Sequence, residues 1–218
     1  MSVPLRRGAR PAAAVVAAAA WFGLVVQLAV VTGWRDSVTE ALGWMSLFYT
    51  SLGNLFVAVV FTGIAAGSVR CAAPRLVGMA LLSILLIGGV YNTLLLGLLH
   101  PRGWHRVSTV MLHDVTPLTV ATFWMLFMRK GTFRHRDPWL WVTLPLGYLA
   151  YALVRGFVGG RYPYPFLDLA ELGAIGVLAY VVGIGAVFLA VGHLIVALDQ
   201  MLGRSRLGAG GERARKRR

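Results

Sequence analysis

Acidic residues are scarce in this chain. Of 218 residues only 8 are Asp or Glu, against 21 Lys or Arg, and charged residues together make up 13%. An ordinary soluble domain carries about 25% charged residues, so a soluble globular class is excluded. Cysteine occurs once, as Cys71, which rules out an internal disulfide and a thiolate metal cluster. Lysine occurs only twice, against 19 arginines; with much Ala and Gly, that bias points to a GC-rich bacterial source. No stretch alternates polar and apolar residues over ten positions, so a transmembrane β-barrel is not expected. No inverted repeat of the kind found in secondary transporters is present either.

What the chain has instead is apolar length. Hydrophobic residues make up 58%, and the mean hydropathy is +0.72. Six runs are long enough to span a bilayer as helices: 12–32, 43–67, 76–98, 105–128, 139–158 and 172–198. The first follows a short basic segment, as a signal peptide would, but it continues for 21 residues. That exceeds a signal core, and it reads as an uncleaved span. The expected fold is therefore all-α, a polytopic bundle of six transmembrane helices. Residues 1–11 form a basic N-terminus, 12–198 the membrane domain, and 199–218 a Gly-rich basic tail expected to be disordered. Gly63 with Gly67, and Ala179 with Gly183, are small-xxx-small pairs suited to close helix packing.

The net charge of +13 lies mainly between and beyond the apolar runs, which argues for topology rather than nucleic-acid binding. With a cytoplasmic N-terminus, inside segments carry sixteen Arg or Lys and outside segments five. The positive-inside rule then puts both termini in the cytoplasm. The partners expected are the bilayer itself and, at the tail, anionic lipid headgroups.

Polar residues inside the runs are the candidates for function. The stretch 107–127 carries His113, Asp114, Thr116 and Pro117. Ionisable groups within a span are costly and usually face the bundle interior or a watery cavity. Pro117 removes the hydrogen bond to the carbonyl four residues back, which is that of His113, so a kink is expected there. At 1.5 Å per residue, Thr50 lies about 10 Å, His113 about 12 Å and Asn92 about 9 Å below the outer end of its run. One polar layer from three helices in the outer leaflet follows. Ser46, Thr50 and Asn54 share one helix face. Tyr148, Tyr151 and Arg155 climb toward the same surface, and a Pro- and Tyr-rich loop at 162–168, ending in Asp168, forms a candidate lid.

Duller roles exist for each. Thr50 fits a hydroxyl bonded to the Ser46 carbonyl. Asn54 and Asn92 fit interhelical glue. Asp114 fits an ion pair with Arg155 or Arg106. Most Trp and Tyr residues fit interface anchors. His100 and His105 read as solvated, and His193 as packed. Intervals of five and eight separate His100, His105 and His113 and match no familiar zinc spacing, so no metal and no cofactor is expected.

Three segments in order, Phe48-Tyr49-Thr50-Ser51-Leu52-Gly53-Asn54-Leu55, His113-Asp114-Val115-Thr116-Pro117 and the 162–168 loop, resemble the bacterial "Pr-six-Pr" six-span membrane proteins. More distantly the layout is similar to the eukaryotic androgen-induced-gene family, which includes the androgen-dependent TFPI-regulating protein. Members of that family hydrolyse fatty acid esters of hydroxy fatty acids with a Thr nucleophile and a His. The resemblance implies a hydrolase of lipid esters in which Thr50 is the nucleophile and His113 the base. Asn54 or Asn92 would then donate to the oxyanion. Tyr151 and Arg155 would bind substrate near the outer surface, and Asp168 is the candidate to orient His113. A long-chain acyl lipid would be the substrate. Two other classes use the same residues: a small carrier, with the polar layer as permeation site, and a non-enzymatic scaffold or lipid-binding subunit.

Overall fold

The computed structural model describes residues 5–96 and 100–215, with side chains up to Arg204. It is all-helical: α1 is Ala9–Thr32, α2 Val38–Met45, α3 Tyr49–Ala65, α4 Pro74–Val90, α5 Gly103–Val110, α6 Thr116–Phe127, α7 Asp137–Trp141, α8 Thr143–Gly159 and α9 Leu169–Arg215. A π-helical turn, Tyr91–Leu95, extends α4, and a second, Met111–Val115, joins α5 to α6. Among the described residues there is no strand, and the protein is polytopic. Among the described residues, five helical segments are long and apolar enough to cross a membrane: Ala9–Thr32, Pro74–Leu95, Gly103–Phe127, Asp137–Gly159 and Leu169–Arg204.

The sixth expected span, 43–67, is not one helix. α2 and α3 meet at a bend of 95°. Ser46 caps the end of α2 with its own hydroxyl, which donates to the Gly43 carbonyl at 2.8 Å, and Phe48 is extended before α3 begins. Local hydrogen bonding of this kind competes with continuing the helix, and apolar content alone does not reveal it. Counted with its bent partner, α3 brings the number of spans to six. The third expected span, 76–98, ends in residues that lie outside the described ones.

The ends of the helices follow from backbone chemistry. Pro74 occupies the first turn of α4, where its missing N–H costs nothing. Gly67, just past α3, adopts φ +89°, the left-handed stop that glycine supplies. Beyond Arg204, through the segment expected from composition to be a basic tail, α9 continues helically to Arg215. Residues 216–218 lie outside the described ones.

The core is built by α1, α3, α4 and α6. Along α1 the buried positions Ala13, Val16, Ala17, Ala20, Gly23 and Leu24 repeat at helical spacing and make one face. Small residues there let α1 approach closely: a Cβ at Gly23 would lie 2.8 Å from Leu112. Phe61 of α3 meets Phe123 of α6 edge-on at 5.0 Å. Trp141, fully buried, fills the space that Gly78 of α4 leaves open. The small pairs read from the sequence behave differently. Gly63 faces Cys71 and Gly67 faces the Arg10 guanidinium, while Gly183 meets nothing within 4 Å and borders a groove instead.

Candidate active site

The bend between α2 and α3 has a consequence for chemistry. It makes Thr50 the second residue of a helix, so its hydroxyl lies beside backbone N–H groups that have no partner within the helix. From α3 the Thr50 Oγ1 reaches the Nε2 of His113 at 3.2 Å. Thr50 therefore does not bond the Ser46 carbonyl, and both residues are partly buried.

His113 sits in the Met111–Val115 π turn. The effect expected of Pro117 is thus a wide turn rather than a simple kink. Thr116 Oγ1 donates to the Met111 carbonyl five residues back at 2.8 Å. The His113 carbonyl faces Gly88 of α4, where a Cβ would come within 2.7 Å. The imidazole is fixed at both nitrogens. Its Nδ1 lies 2.9 Å from the Thr109 carbonyl. A carbonyl oxygen only accepts, so Nδ1 carries the hydrogen and Nε2 holds a free lone pair. Thr50 Oγ1–H then donates to Nε2, the polarity a general base needs.

The ring is held from one face by Tyr91, stacked at 3.9 Å between centroids and 25° between planes. Tyr91 opens the Tyr91–Leu95 π turn. The two π turns are joined a second time by Asn92, whose Nδ2 donates to Asp114 Oδ1 at 2.9 Å and to the Gly88 carbonyl at 3.0 Å. Tyr91 was missed as a site residue because a tyrosine near the end of a span reads as an interface anchor.

Several expected roles change. Asn54 is fully buried, and its Nδ2 donates to the carbonyls of Thr50 (2.9 Å) and Leu112 (3.2 Å). Both its N–H groups are spent, so it cannot serve an oxyanion; it ties α3 to the His113 turn. Asn92 is likewise spent, on Gly88 and Asp114, and Asp114 pairs with neither Arg155 nor Arg106. Asp168 does not approach His113. Its Oδ1 accepts from the N–H groups of Ala170 (2.8 Å) and Glu171 (3.4 Å), which makes it the N-cap of the first turn of α9, ahead of a break at Gly173 (φ +64°). Tyr151 and Arg155 join a different cluster: the Arg155 guanidinium donates to the Tyr151 hydroxyl at 2.7 Å, to Ser46 Oγ at 3.0 Å and to the Gly43 carbonyl at 3.4 Å. That cluster clamps α8 onto the bend.

Tyr164, from the loop before α9, is a polar group that reaches the start of α3. Its hydroxyl oxygen accepts from the N–H of Tyr49, the first residue of α3, at 3.1 Å, and it lies beside Thr50. Burial raises the pKa of this phenol, so it stays protonated at neutral pH and keeps a hydrogen to give. Tyr148 props the same corner. Its hydroxyl donates to the Leu47 carbonyl at 2.7 Å, and its ring packs on Tyr49 at 5.0 Å.

Thr50, His113, Tyr91 and Tyr164 open onto a cavity of about 120 Å³ whose remaining wall is almost wholly apolar, with Phe166 and Phe188 among its members. Asn54 and Asn92 are not in that wall, whereas α9, absent from the expected lining, is. The cavity shares Leu86, Val90, Ile184 and Phe188 with a groove of about 600 Å³ between α4 and α9. Gly183 and Ala179 border this groove, so their small size leaves space instead of closing a helix contact. Among the described residues, no three His, Cys, Asp or Glu side chains converge as a metal-ligand set. No protein-family model, curated protein or solved structure matches this chain.

Proposed function

We propose that the protein is a membrane-embedded hydrolase of long-chain acyl esters, with Thr50 as nucleophile and His113 as general base. The observation that carries this reading is the 3.2 Å contact from Thr50 Oγ1 to His113 Nε2, with Nδ1 tied to the Thr109 carbonyl. A threonine hydroxyl is a weak nucleophile and needs such a base. In the proposed sequence Thr50 Oγ attacks the acyl carbonyl and its proton passes to Nε2. The carbonyl oxygen becomes an oxyanion, stabilised by the Tyr164 hydroxyl and by the positive N-terminal end of α3. Collapse breaks the ester C–O bond, and the leaving alcohol takes the proton from Nε2. Water then attacks the acyl-Thr50 carbonyl, again giving its proton to Nε2. Release of the fatty acid restores the Thr50 hydroxyl.

Substrate class follows from the walls. An apolar cavity with reactive groups at one end suits an acyl chain whose ester lies at Thr50. The groove between α4 and α9 offers that chain a lateral route from the bilayer. The likeness to the six-span hydrolase family assigns the same roles to Thr50 and His113. The accompanying localisation is a bacterial cytoplasmic membrane with both termini in the cytoplasm, resting on the sixteen-to-five division of basic residues. Active-site labelling tests the reading. A long-chain alkyl fluorophosphonate, incubated with the purified protein, is expected to attach at Thr50 by peptide mass spectrometry, and His113→Ala is expected to abolish attachment. Attachment elsewhere only, or none, would overturn the reading.

A further inference from the structure

At the far end of the bundle from Thr50, three separate segments meet around a cationic cleft. The N-terminal segment is pinned to the end of α6: Arg6 N donates to the Phe127 carbonyl at 2.8 Å and Arg6 Nη1 to the Leu126 carbonyl at 3.2 Å. The loop after α6 is pinned to α9 by Asp199. This carboxylate is fully buried, and its Oδ2 accepts from the N–H groups of Thr132 (2.7 Å) and Phe133 (3.0 Å). The Gly131 N–H donates to the Asp199 carbonyl at 2.9 Å. Gly203 lies so close to this loop that a Cβ on it would be 2.9 Å from Gly131. Lys130 is held over the Trp124 ring, 3.9 Å from its centroid, with its ammonium donating to the Trp124 carbonyl.

These anchors fix a cleft of about 610 Å³ lined by Arg6, Arg129, Lys130, Gln200 and Arg204, with no acidic side chain among the described residues of its wall. Among the residues whose side chains are described, none of the four cations is in an ion pair; the one such pair joins Arg75 to Asp137. The Asp199 carboxylate offsets part of the Lys130 charge, but the remaining positive charges converging on one space repel one another, and a bound anion relieves the repulsion. Three of them are arginines, whose planar fork matches the oxygens of a phosphate. The cleft lies at the ends of helices long and apolar enough to cross a membrane, where headgroups are expected. We propose that this cleft binds a phosphate group, such as that of an anionic lipid headgroup. The proposal does not depend on the hydrolase reading, because no residue is shared with the Thr50 cavity.

The test uses the full-length protein in phosphatidylcholine nanodiscs and follows thermal unfolding. Added dioctanoyl phosphatidylglycerol is expected to raise the unfolding temperature more than dioctanoyl phosphatidylcholine does. Each basic residue near an anionic surface contributes roughly fivefold in affinity. The double variant Arg129→Gln, Arg204→Gln should therefore bind phosphatidylglycerol roughly thirtyfold more weakly. Both side chains are exposed, so the fold is expected to persist. Arg161→Gln, an exposed arginine outside the cleft, should keep the wild-type response. Inorganic phosphate at equal concentration separates the sources. An equal shift with phosphate assigns the cleft to free phosphate, and a shift with phosphatidylglycerol alone assigns it to the lipid. An unchanged response in the double variant, or an equal loss in Arg161→Gln, would overturn the proposal.

Discussion

Gly88→Ala puts the coupling between backbone packing and the dyad to a quantitative test. The added Cβ would sit 2.7 Å from the His113 carbonyl oxygen and 3.2 Å from Pro117 Cγ, whereas ordinary contact begins near 3.4 Å. The near neighbour is backbone, so no flexible side-chain tip absorbs the clash. The π turn carrying His113, or α4 itself, must move by about 0.7 Å, the gap between those contact distances. Overpacking of this kind costs about 1–3 kcal/mol, and the alanine returns up to about 1 kcal/mol of helix propensity. The net loss of stability is then between about 0 and 3 kcal/mol. The catalytic loss is the larger effect. Misplacing a catalytic group by about 1 Å costs on the order of a hundredfold in rate, so a shift somewhat smaller than that should cost roughly tenfold or more. The assay is hydrolysis of a long-chain acyl ester by purified protein, with thermal unfolding measured on the same sample. Gly147→Ala is the control, since a Cβ there meets nothing within 4 Å; it should keep full activity and gain a little stability. Full activity and an unchanged unfolding temperature in Gly88→Ala would refute the reasoning.

Three further outcomes are expected. Tyr164→Phe removes only a hydroxyl; if that group serves the oxyanion, kcat falls on the order of a hundredfold while KM changes little, as steady-state kinetics would report. Asp168→Ala removes the cap of the first turn of α9, which the break at Gly173 separates from the rest of the helix, and should lower stability by no more than about 1 kcal/mol in a denaturation experiment, with far less effect on turnover than Thr50→Ala. Burial lowers the Lys130 pKa to about 8, below its value in the unfolded chain. The native state then holds fewer protons than the unfolded state between that pH and about 10.4, so stability should rise with pH across this window. Lys130→Met should flatten the rise in a pH series of thermal melts.

The sequence revealed what depends on amount and position along the chain. Long apolar runs require helices in a bilayer, and His113 inside one of them stands out because an imidazole there needs a reason. Thr50 and His113 were brought together by counting residues inward from the outer ends, yet that count assumed a straight second span. The bend at residues 46–48 rests on Ser46, Arg155 and Tyr151 meeting across more than a hundred residues, and nothing local to the bend announces that meeting. The asparagines illustrate a second limit. A polar residue at the right depth looks available, but its N–H groups are already spent: Asn54 bonds the Thr50 carbonyl one turn back and the Leu112 carbonyl of a π turn, and Asn92 bonds the Gly88 carbonyl one turn back and the Asp114 carboxylate. Tyr91 and Tyr164 were legible only as aromatic residues at a membrane edge, because stacking and capping are tertiary properties that a tyrosine serves without any distinguishing pattern.

The central claim is that Thr50, activated by His113, performs acyl transfer. The most direct measurement is hydrolysis of a long-chain acyl ester by purified wild type, Thr50→Ala, His113→Ala and their combination, compared in one detergent with folding verified for each. The account predicts turnover in the wild type, near-complete loss in each single variant, and little additional loss in the double variant, because groups acting as one unit are strongly non-additive. Equal rates in wild type and Thr50→Ala would contradict it.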